Sequence, residues 1–197
     1  MNPTTLELLK KNIADESKFI LAKELSSTKG DAQSVPDLPG LYCIRIKRNY
    51  KSMDGKELAE FFTEGVKEQN ILYIGKASSL WKRFFKQELL GEGHGTFFRS
   101  IGAILGFRPK RGTLKPERTT YKFSAEDNEK IVAWIKENLW VYYTERKDNI
   151  AKACIEDYER DLIQYFRPLL NLQNNPRDCK KLRDLRKECI QIARGKI

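Results

Sequence analysis

The pattern of apolar and polar residues predicts short strands separated by helices. Leu41 to Ile46 is rich in β-branched and aromatic residues and is predicted as a strand. Further short strands are predicted over Ile71 to Ile74, which Gly75 ends, over Thr120 to Phe123, and over Trp140 to Thr144. Strands separated mostly by helices are typical of an α+β domain. We therefore expect a small mixed or antiparallel sheet of about three to four strands, flanked by helices.

Helical periodicity and cap residues predict the remaining elements. Pro3 is suited to the first turn of a helix, and three residues can cap later helices, namely Ser78, Ser124 and Asn149. Pro168 prevents the helix that starts at Asn149 from continuing. The predicted helices span residues 3–25, 56–67, 79–90, 96–105, 124–139, 149–166 and 182–193.

Composition narrows the class of protein. The chain has 197 residues, of which 40% are hydrophobic and 32% charged, which suits a single globular domain with terminal extensions. Apolar runs are too short to cross a bilayer, and the N-terminus lacks the apolar core of a signal peptide. The cysteines form no CxxC pair and are expected to be reduced thiols. A cytoplasmic location is the expectation.

The charge points to a polyanionic partner. Lys and Arg number 37 against 27 Asp and Glu, so the net charge is +10. Nucleic acid is the first candidate and an anionic membrane surface the second, and the alternative to both is charge that serves only solubility. Two segments are especially basic: residues 108–122, with a net charge of +5, and residues 177–197.

One carboxylate falls on an apolar helix face. Ile155, Leu162 and Phe166 form one helical stripe, and Glu159 lies on the same stripe. A carboxylate that faces inward needs a positive partner, which can be an arginine, a lysine or a divalent cation. A structural salt bridge is the simpler alternative.

An arginine and two tyrosines stand out more weakly. Arg83 lies beside Leu80 on a predicted helix, where it can meet a fixed anion or remain on the surface. Tyr42 and Tyr73 lie in strands close to glycines, although aromatic residues in strands usually serve the core. Gly75 can allow close approach of a phosphate, and Lys76 follows it directly.

Taken together, these segments resemble the GIY-YIG nuclease superfamily over about residues 37–175. The resemblance rests on Gly40-Leu41-Tyr42, on Tyr73-Ile74-Gly75-Lys76-Ala77 with Leu80-Trp81-Lys82-Arg83, and on Glu159-Arg160-Asp161-Leu162-Ile163 with Arg167-Pro168-Leu169-Leu170-Asn171. The spacing is similar to that of the N-terminal GIY-YIG nuclease that acts in bacterial excision repair. The resemblance implies a metal-dependent endonuclease that hydrolyses phosphodiester bonds of DNA.

The resemblance also implies residue roles. Glu159 would bind one divalent metal, Mg²⁺ or Mn²⁺, and Arg83 would offset charge on the phosphoryl oxygens. Tyr42 would act as the general base or orient the attacking water, with its pKa lowered by Lys76 or by the metal. Tyr73 would orient the water or the phosphate.

Asn171 would brace the site. Gln87 stands where many members carry His or Tyr, and His94 in the following loop is a candidate accessory residue. Tyr42 and Tyr73 are 31 positions apart, more than in many members. These departures keep open a nucleic-acid-binding module with impaired catalysis, and a nuclease that acts on RNA or branched DNA.

The expected partner is double-stranded DNA, with RNA as the alternative, no membrane, and a homodimer left open. The candidate nucleic-acid contacts are Lys82, Arg108, Lys110, Arg111, Lys115, Arg118, Lys180 and Lys181. The expected organisation is an N-terminal helical extension and linker over 1–36, a nuclease domain over 37–175, and a basic C-terminal helix over 176–197.

Overall fold

One antiparallel sheet organises the part of the chain that the computed structural model describes, residues 3–50, 70–146, 152–177 and 179–197. Its strands are β1 (Ile20–Leu21), β2 (Gly40–Ile46), β3 (Ile71–Ala77) and β4 (Leu139–Glu145). They lie in the order β1-β4-β2-β3, and each neighbouring pair is antiparallel. The predicted α+β fold is confirmed. The helix predicted over 56–67 and the cap predicted at Asn149 lie outside the described residues.

Helices cover both faces of this sheet. They are α1 (Pro3–Ala14), a π-helix (Leu80–Leu89), α2 (Thr96–Ile104), α3 (Ala125–Asn138), α4 (Lys152–Phe166) and α5 (Lys180–Ala193). Two single 3₁₀ turns, Glu16–Lys18 and Ala22–Glu24, flank β1.

The alternation of side chains along β2 divides the core into two layers. Tyr42 and Ile44 point to the face covered by the π-helix, α2, α3 and α5. Leu41 and Cys43 point to the opposite face, where α1 and α4 pack. Every residue of β2 is buried, as expected for a strand with a neighbour on each side.

The N-terminal helix is shorter than predicted. It ends at Ala14, because the carboxylate of Asp15 accepts a hydrogen bond from the backbone N–H of Ser17 and starts a 3₁₀ turn. The chain then pairs Ile20 with Val141 at the sheet edge. The prediction of helix to residue 25 was therefore wrong, and it missed β1.

Residues 120–123 form no strand. Tyr121 and Phe123 are buried in alternation, which produced the strand-like pattern. Their polar groups bond to other elements, with the Tyr121 hydroxyl donating to the carbonyl of Arg99 and the Phe123 N–H donating to the His94 ring.

Strand β3 runs through Gly75 to Ala77, two residues beyond the predicted break. The helix that follows is capped by Ser79, whose hydroxyl accepts from the N–H of Lys82, and not by Ser78.

Within the described residues, no helix has both the length and the apolar character needed to cross a membrane.

We predict that Arg45 fixes α1 to the sheet. The residue is 4% exposed, and its guanidinium donates to the Asn70 side chain at 3.1 Å and to the carbonyl of Ile13. Arg45→Ala leaves these acceptors unsatisfied and should lower the free energy of unfolding by about 1–3 kcal/mol. Urea unfolding measures this loss.

The matched control is Arg48→Ala. Arg48 contacts the same Glu16 carboxylate as Arg45, but its side chain is 74% exposed. Its loss should change stability by less than about 0.5 kcal/mol. Equal losses in the two variants would contradict an anchoring role for Arg45.

Candidate active site

The register between β2 and β3 places Tyr42 directly opposite Gly75. A Cβ atom at Gly75 would lie 2.4 Å from Cζ of Tyr42, so this position requires glycine for the ring to lie flat on β3. The other side of the Tyr42 ring stacks on Phe84 of the π-helix, with ring centroids 4.7 Å apart. Tyr42 is thus clamped between a strand and a helix.

Tyr73 lies beside Tyr42, with ring centroids 6.2 Å apart. Burial raises the pKa of both phenols, and the nearby carboxylate of Glu88 raises them further. Lys76 therefore does not lower the pKa of Tyr42 as expected. Lys76 is directed toward acidic residues on α4.

Glu159 of α4 meets the end of β3. Its Oε1 accepts a hydrogen bond of 3.0 Å from the backbone N–H of Lys76, and its Oε2 lies 3.6 Å from Lys76 Nζ. The same ammonium group lies 2.8 Å from Glu156 Oε1. Burial raises the pKa of Glu159, although Lys76 opposes the shift. The positive partner required by this inward carboxylate is therefore a lysine in this structure.

Arg83 projects from the π-helix and is held from three sides. It donates to Gln87 Oε1 at 3.0 Å and to Thr96 Oγ1 at 3.4 Å. Its Nη2 also lies 3.0 Å from Glu88 Oε1, as an ion pair. With 36% of its side chain exposed, Arg83 still presents charge to solvent.

Glu88 is the fully buried acid of this region, with no exposed surface. Its Oε2 accepts from the backbone N–H groups of Phe97 at 2.9 Å and Phe98 at 3.3 Å, in the first turn of α2. A Cβ at Gly95 would lie 2.0 Å from this oxygen, so glycine makes room for the carboxylate. Burial raises the pKa of Glu88, opposed by Arg83.

Glu88 was missed in the sequence, although α-helical spacing already places it on the apolar side of its helix, four residues after Phe84 and three after Phe85. That spacing does not show its alignment with Arg83, five residues earlier. In a π-helix the hydrogen bonds join residues five apart, as from Leu90 N–H to the carbonyl of Phe85. Residues five apart are then nearly aligned, which brings Glu88 to the same side as Arg83.

Asn171 secures the outer strand. Its Nδ2 donates to the carbonyl of Ile74 at 2.8 Å, and its Oδ1 accepts from the N–H of Ile74 at 2.9 Å. Strand β3 is an edge strand, so this double contact satisfies backbone groups that the sheet leaves unpaired. Asn171 thus braces β3 at the residue that follows Tyr73.

These side chains border one pocket of about 560 Å³. All six residues predicted to be catalytic line it, namely Tyr42, Tyr73, Lys76, Arg83, Glu159 and Asn171. The pocket is also lined by Thr96 and Arg186, which were not among the predicted site residues. The sequence could have indicated Arg186, because its spacing places it on the same helical stripe as the apolar residues Leu182, Cys189 and Ala193.

A family model described as the GIY-YIG catalytic domain matches residues 40–188, which is more than half of the chain. The chain belongs to the GIY-YIG nuclease family. The match includes every residue of the pocket. Searches of the curated proteins and of the solved structures found no match.

A second cavity of about 720 Å³ adjoins the pocket of this GIY-YIG domain and shares Lys76 and Arg83 with it. Lys82, Gln87 and Arg146 also line it. Gln87, a candidate accessory residue in the sequence, accepts a hydrogen bond from Arg83 through its side-chain oxygen.

The structure does not bring His94 to the pocket. The residue is 8% exposed, and Nε2 accepts a hydrogen bond of 3.1 Å from the N–H of Phe123. Burial lowers the pKa of His94 to about 4. The imidazole is therefore a neutral acceptor that holds the segment before α3, and the expected accessory role has no geometric support.

The basic loop packs on α5. Arg108 forms a double ion pair with Glu188, at 2.9 and 3.2 Å, so it is not a free phosphate ligand as predicted. Arg111 donates to the carbonyl of Gly195, and Leu114 N–H donates to that of Ala193. The loop therefore anchors the C-terminal helix.

The other predicted nucleic-acid contacts lie at the surface of the GIY-YIG domain. Lys110, Lys115 and Arg118 are exposed on the loop. Lys180 and Lys181 line a separate surface cavity on α5, where Lys180 pairs with Asp184 at 2.9 Å. These two lysines do not line the pocket.

The donor set of the pocket suits a hard cation held weakly by protein. No group of three or more His, Cys, Asp or Glu side chains among the described residues could enclose a metal. Mg²⁺ is usually held by one or two carboxylates, with water and substrate phosphates completing its shell. A single carboxylate, Glu159, at the wall of an open pocket fits that chemistry.

We predict that the pKa of His94 lies far below that of an ordinary histidine. The chain has one histidine, so the imidazole C2 proton gives one assignable NMR signal. This signal should follow a pKa of about 4 instead of the ordinary 6.5. The folded pKa is the lower one, so the neutral ring stabilises the fold above pH 6.5, and this contribution is lost as the pH falls toward 4. A midpoint near 6.5 would contradict burial.

Proposed function

We propose that this protein is a metal-dependent endonuclease that hydrolyses phosphodiester bonds of DNA. The observation that carries the proposal is the convergence of the six motif residues on one pocket, although they come from four separate elements and the segment after α4. A pocket that holds an arginine, a lysine, two phenols and a carboxylate has the groups needed to bind a phosphodiester and hydrolyse it.

Glu159 would hold Mg²⁺ or Mn²⁺. When bound, the ion polarises the scissile phosphate and stabilises the leaving oxygen. Lys76 lies against Glu159 and Glu156, so it balances negative charge at the pocket wall.

Arg83 would face the phosphoryl oxygens. Gln87, Thr96 and Glu88 fix its guanidinium before substrate arrives, so little reorganisation is needed when negative charge develops. This arrangement also gives Gln87 a positioning role in a working site, which favours the nuclease over a module with impaired catalysis.

Tyr42 would orient the attacking water. Burial raises the pKa of its hydroxyl, so the phenol keeps its proton at neutral pH and can both donate and accept hydrogen bonds. Tyr73, the second phenol in the pocket, would hold the phosphate or the water from the adjacent position.

The test is cleavage of supercoiled plasmid by purified protein with Mg²⁺, beside an EDTA control. We expect Mg²⁺-dependent cutting that Glu159→Gln abolishes without loss of DNA binding. Gln retains an oxygen for the Lys76 N–H but removes the charge. Duplex oligonucleotides, branched DNA and structured RNA, assayed in parallel, identify the substrate class.

The matched control is Asp157→Asn on the same helix. Asp157 pairs with Arg160 at the surface and does not line the pocket. This variant should cut at the wild-type rate. Cutting by Glu159→Gln at the wild-type rate would contradict the assignment of the metal ligand, and no cutting of any of the substrates would contradict the proposed function.

A further inference from the structure

We propose that Arg186 of α5 binds a backbone phosphate next to the scissile one, which makes the C-terminal helix part of the active site. This inference rests on the proposed function and adds a substrate contact to it. The basic character of residues 177–197 suggested surface binding of nucleic acid, whereas the structure brings one residue of this segment into the pocket.

The position of Arg186 is the first argument. Arg186 lines the pocket together with Tyr73, Thr96 and Asn174. It lies on the same side of α5 as Leu182, Cys189 and Ala193, all of which have no exposed surface. The helix therefore directs Arg186 to its inward side, where it lines the pocket, while the other three residues pack in the core.

The charge of Arg186 is the second argument. The other two cations of the pocket already face acids, with Arg83 against Glu88 and Lys76 against Glu159. Arg186 makes no ion pair or hydrogen bond with any residue in the ranges that the structure describes. Its charge is therefore available to an anionic ligand from solution.

The charge of Arg186 reaches two buried neighbours. Its charge opposes the rise in the pKa of Tyr73 and also lowers the pKa of buried Arg99 on α2. Two arginines close enough to repel one another favour an anion between or beside them. A guanidinium presents paired N–H donors that match the oxygens of a phosphate.

The rigidity of α5 is the third argument. Helix α5 packs on α2, and the double ion pair between Arg108 and Glu188 ties it to the basic loop. The N–H of Leu114 adds a backbone contact at the C-terminal end of the helix. A guanidinium on an anchored helix loses less freedom on binding than one on a mobile tail.

The adjoining cavity indicates how a nucleic-acid strand would lie. Arg186 borders the catalytic pocket but not that cavity, whereas Lys82 and Arg146 border the cavity but not the pocket. Arg83 borders both. A strand that crosses Arg83 would therefore meet Arg186 on one side of the scissile phosphate and Lys82 with Arg146 on the other.

The experiment measures equilibrium binding of a fluorescent duplex in EDTA over a range of salt concentrations, so it does not depend on cutting. We compare the wild type with Arg186→Gln and Lys187→Gln. Lys187 is the matched control, because it is the next residue on α5, carries the same charge, is exposed and does not line the pocket. Branched DNA and structured RNA serve as further probes.

We expect Arg186→Gln to weaken binding about 10-fold and to reduce the slope of log K against log salt by about 1, as for one lost phosphate contact. Lys187→Gln should stay within about 2-fold of the wild type. Arg186→Lys retains the charge and should retain the salt slope, which separates loss of a phosphate contact from misfolding.

A duplex series with one neutral methylphosphonate at successive positions locates the contact. The wild type should lose affinity when the phosphate beside the cleaved bond is neutralised, and Arg186→Gln should be insensitive at that position. The same methylphosphonate profile in both proteins would overturn the inference.

Equal effects of Arg186→Gln and Lys187→Gln, or none from Arg186→Gln, would also overturn the inference while leaving the nuclease intact. Absence of wild-type binding to duplex DNA, branched DNA and RNA alike would instead contradict the proposed function together with the inference.

Discussion

The buried carboxylate of Glu88 is the contact on which the pocket depends. One of its oxygens accepts from the first turn of α2, and the other pairs with Arg83. A buried charge is costly unless it is neutralised and hydrogen-bonded, so Glu88 ties the π-helix, α2 and the arginine together. The missing Cβ at Gly95 makes this contact possible, in the same way that Gly75 makes room for Tyr42.

The rest of the site is built outward from this contact. Helix α2 supplies Thr96 to Arg83 on one side and packs against α5 on the other, so α5 is positioned by the element that Glu88 caps. Glu159 contacts the outer strand from the opposite layer, through Lys76, and Asn171 contacts it along its open edge, through Ile74. The pocket therefore lies where both layers meet the end of β3. Because the core already holds the side chains of the pocket in place, the binding energy of a substrate can be used to orient that substrate.

The fold and most of the motif could be predicted from the sequence because they rest on local signals. The motif consists of short segments with a specific order and specific residue types, and these segments contain Tyr42, Arg83 and Glu159. Glu88 carries the same signal as Glu159, a carboxylate on an apolar stripe, and it was missed. Its pairing with Arg83 could not be predicted, because it depends on π-helical geometry that apolar spacing does not reveal. Arg186 shares the signal that selected Glu159, a charge on an apolar stripe, but the basic surroundings made it look like surface. His94 was a candidate because it lies in the loop after Gln87, and Arg108 because it lies in a basic loop. Tertiary contacts use both residues to hold loops.

The most direct test of the central role of Glu88 is the cleavage rate of Glu88→Gln, measured alone and together with Arg83→Ala. Gln keeps an acceptor for α2 but removes the charge that holds Arg83, so we expect a folded protein whose kcat falls by about 10-fold or more. The double variant should be no slower than Arg83→Ala alone, because Glu88 acts through Arg83. A folded Glu88→Gln protein with wild-type kcat, or losses that simply multiply in the double variant, would contradict this dependence.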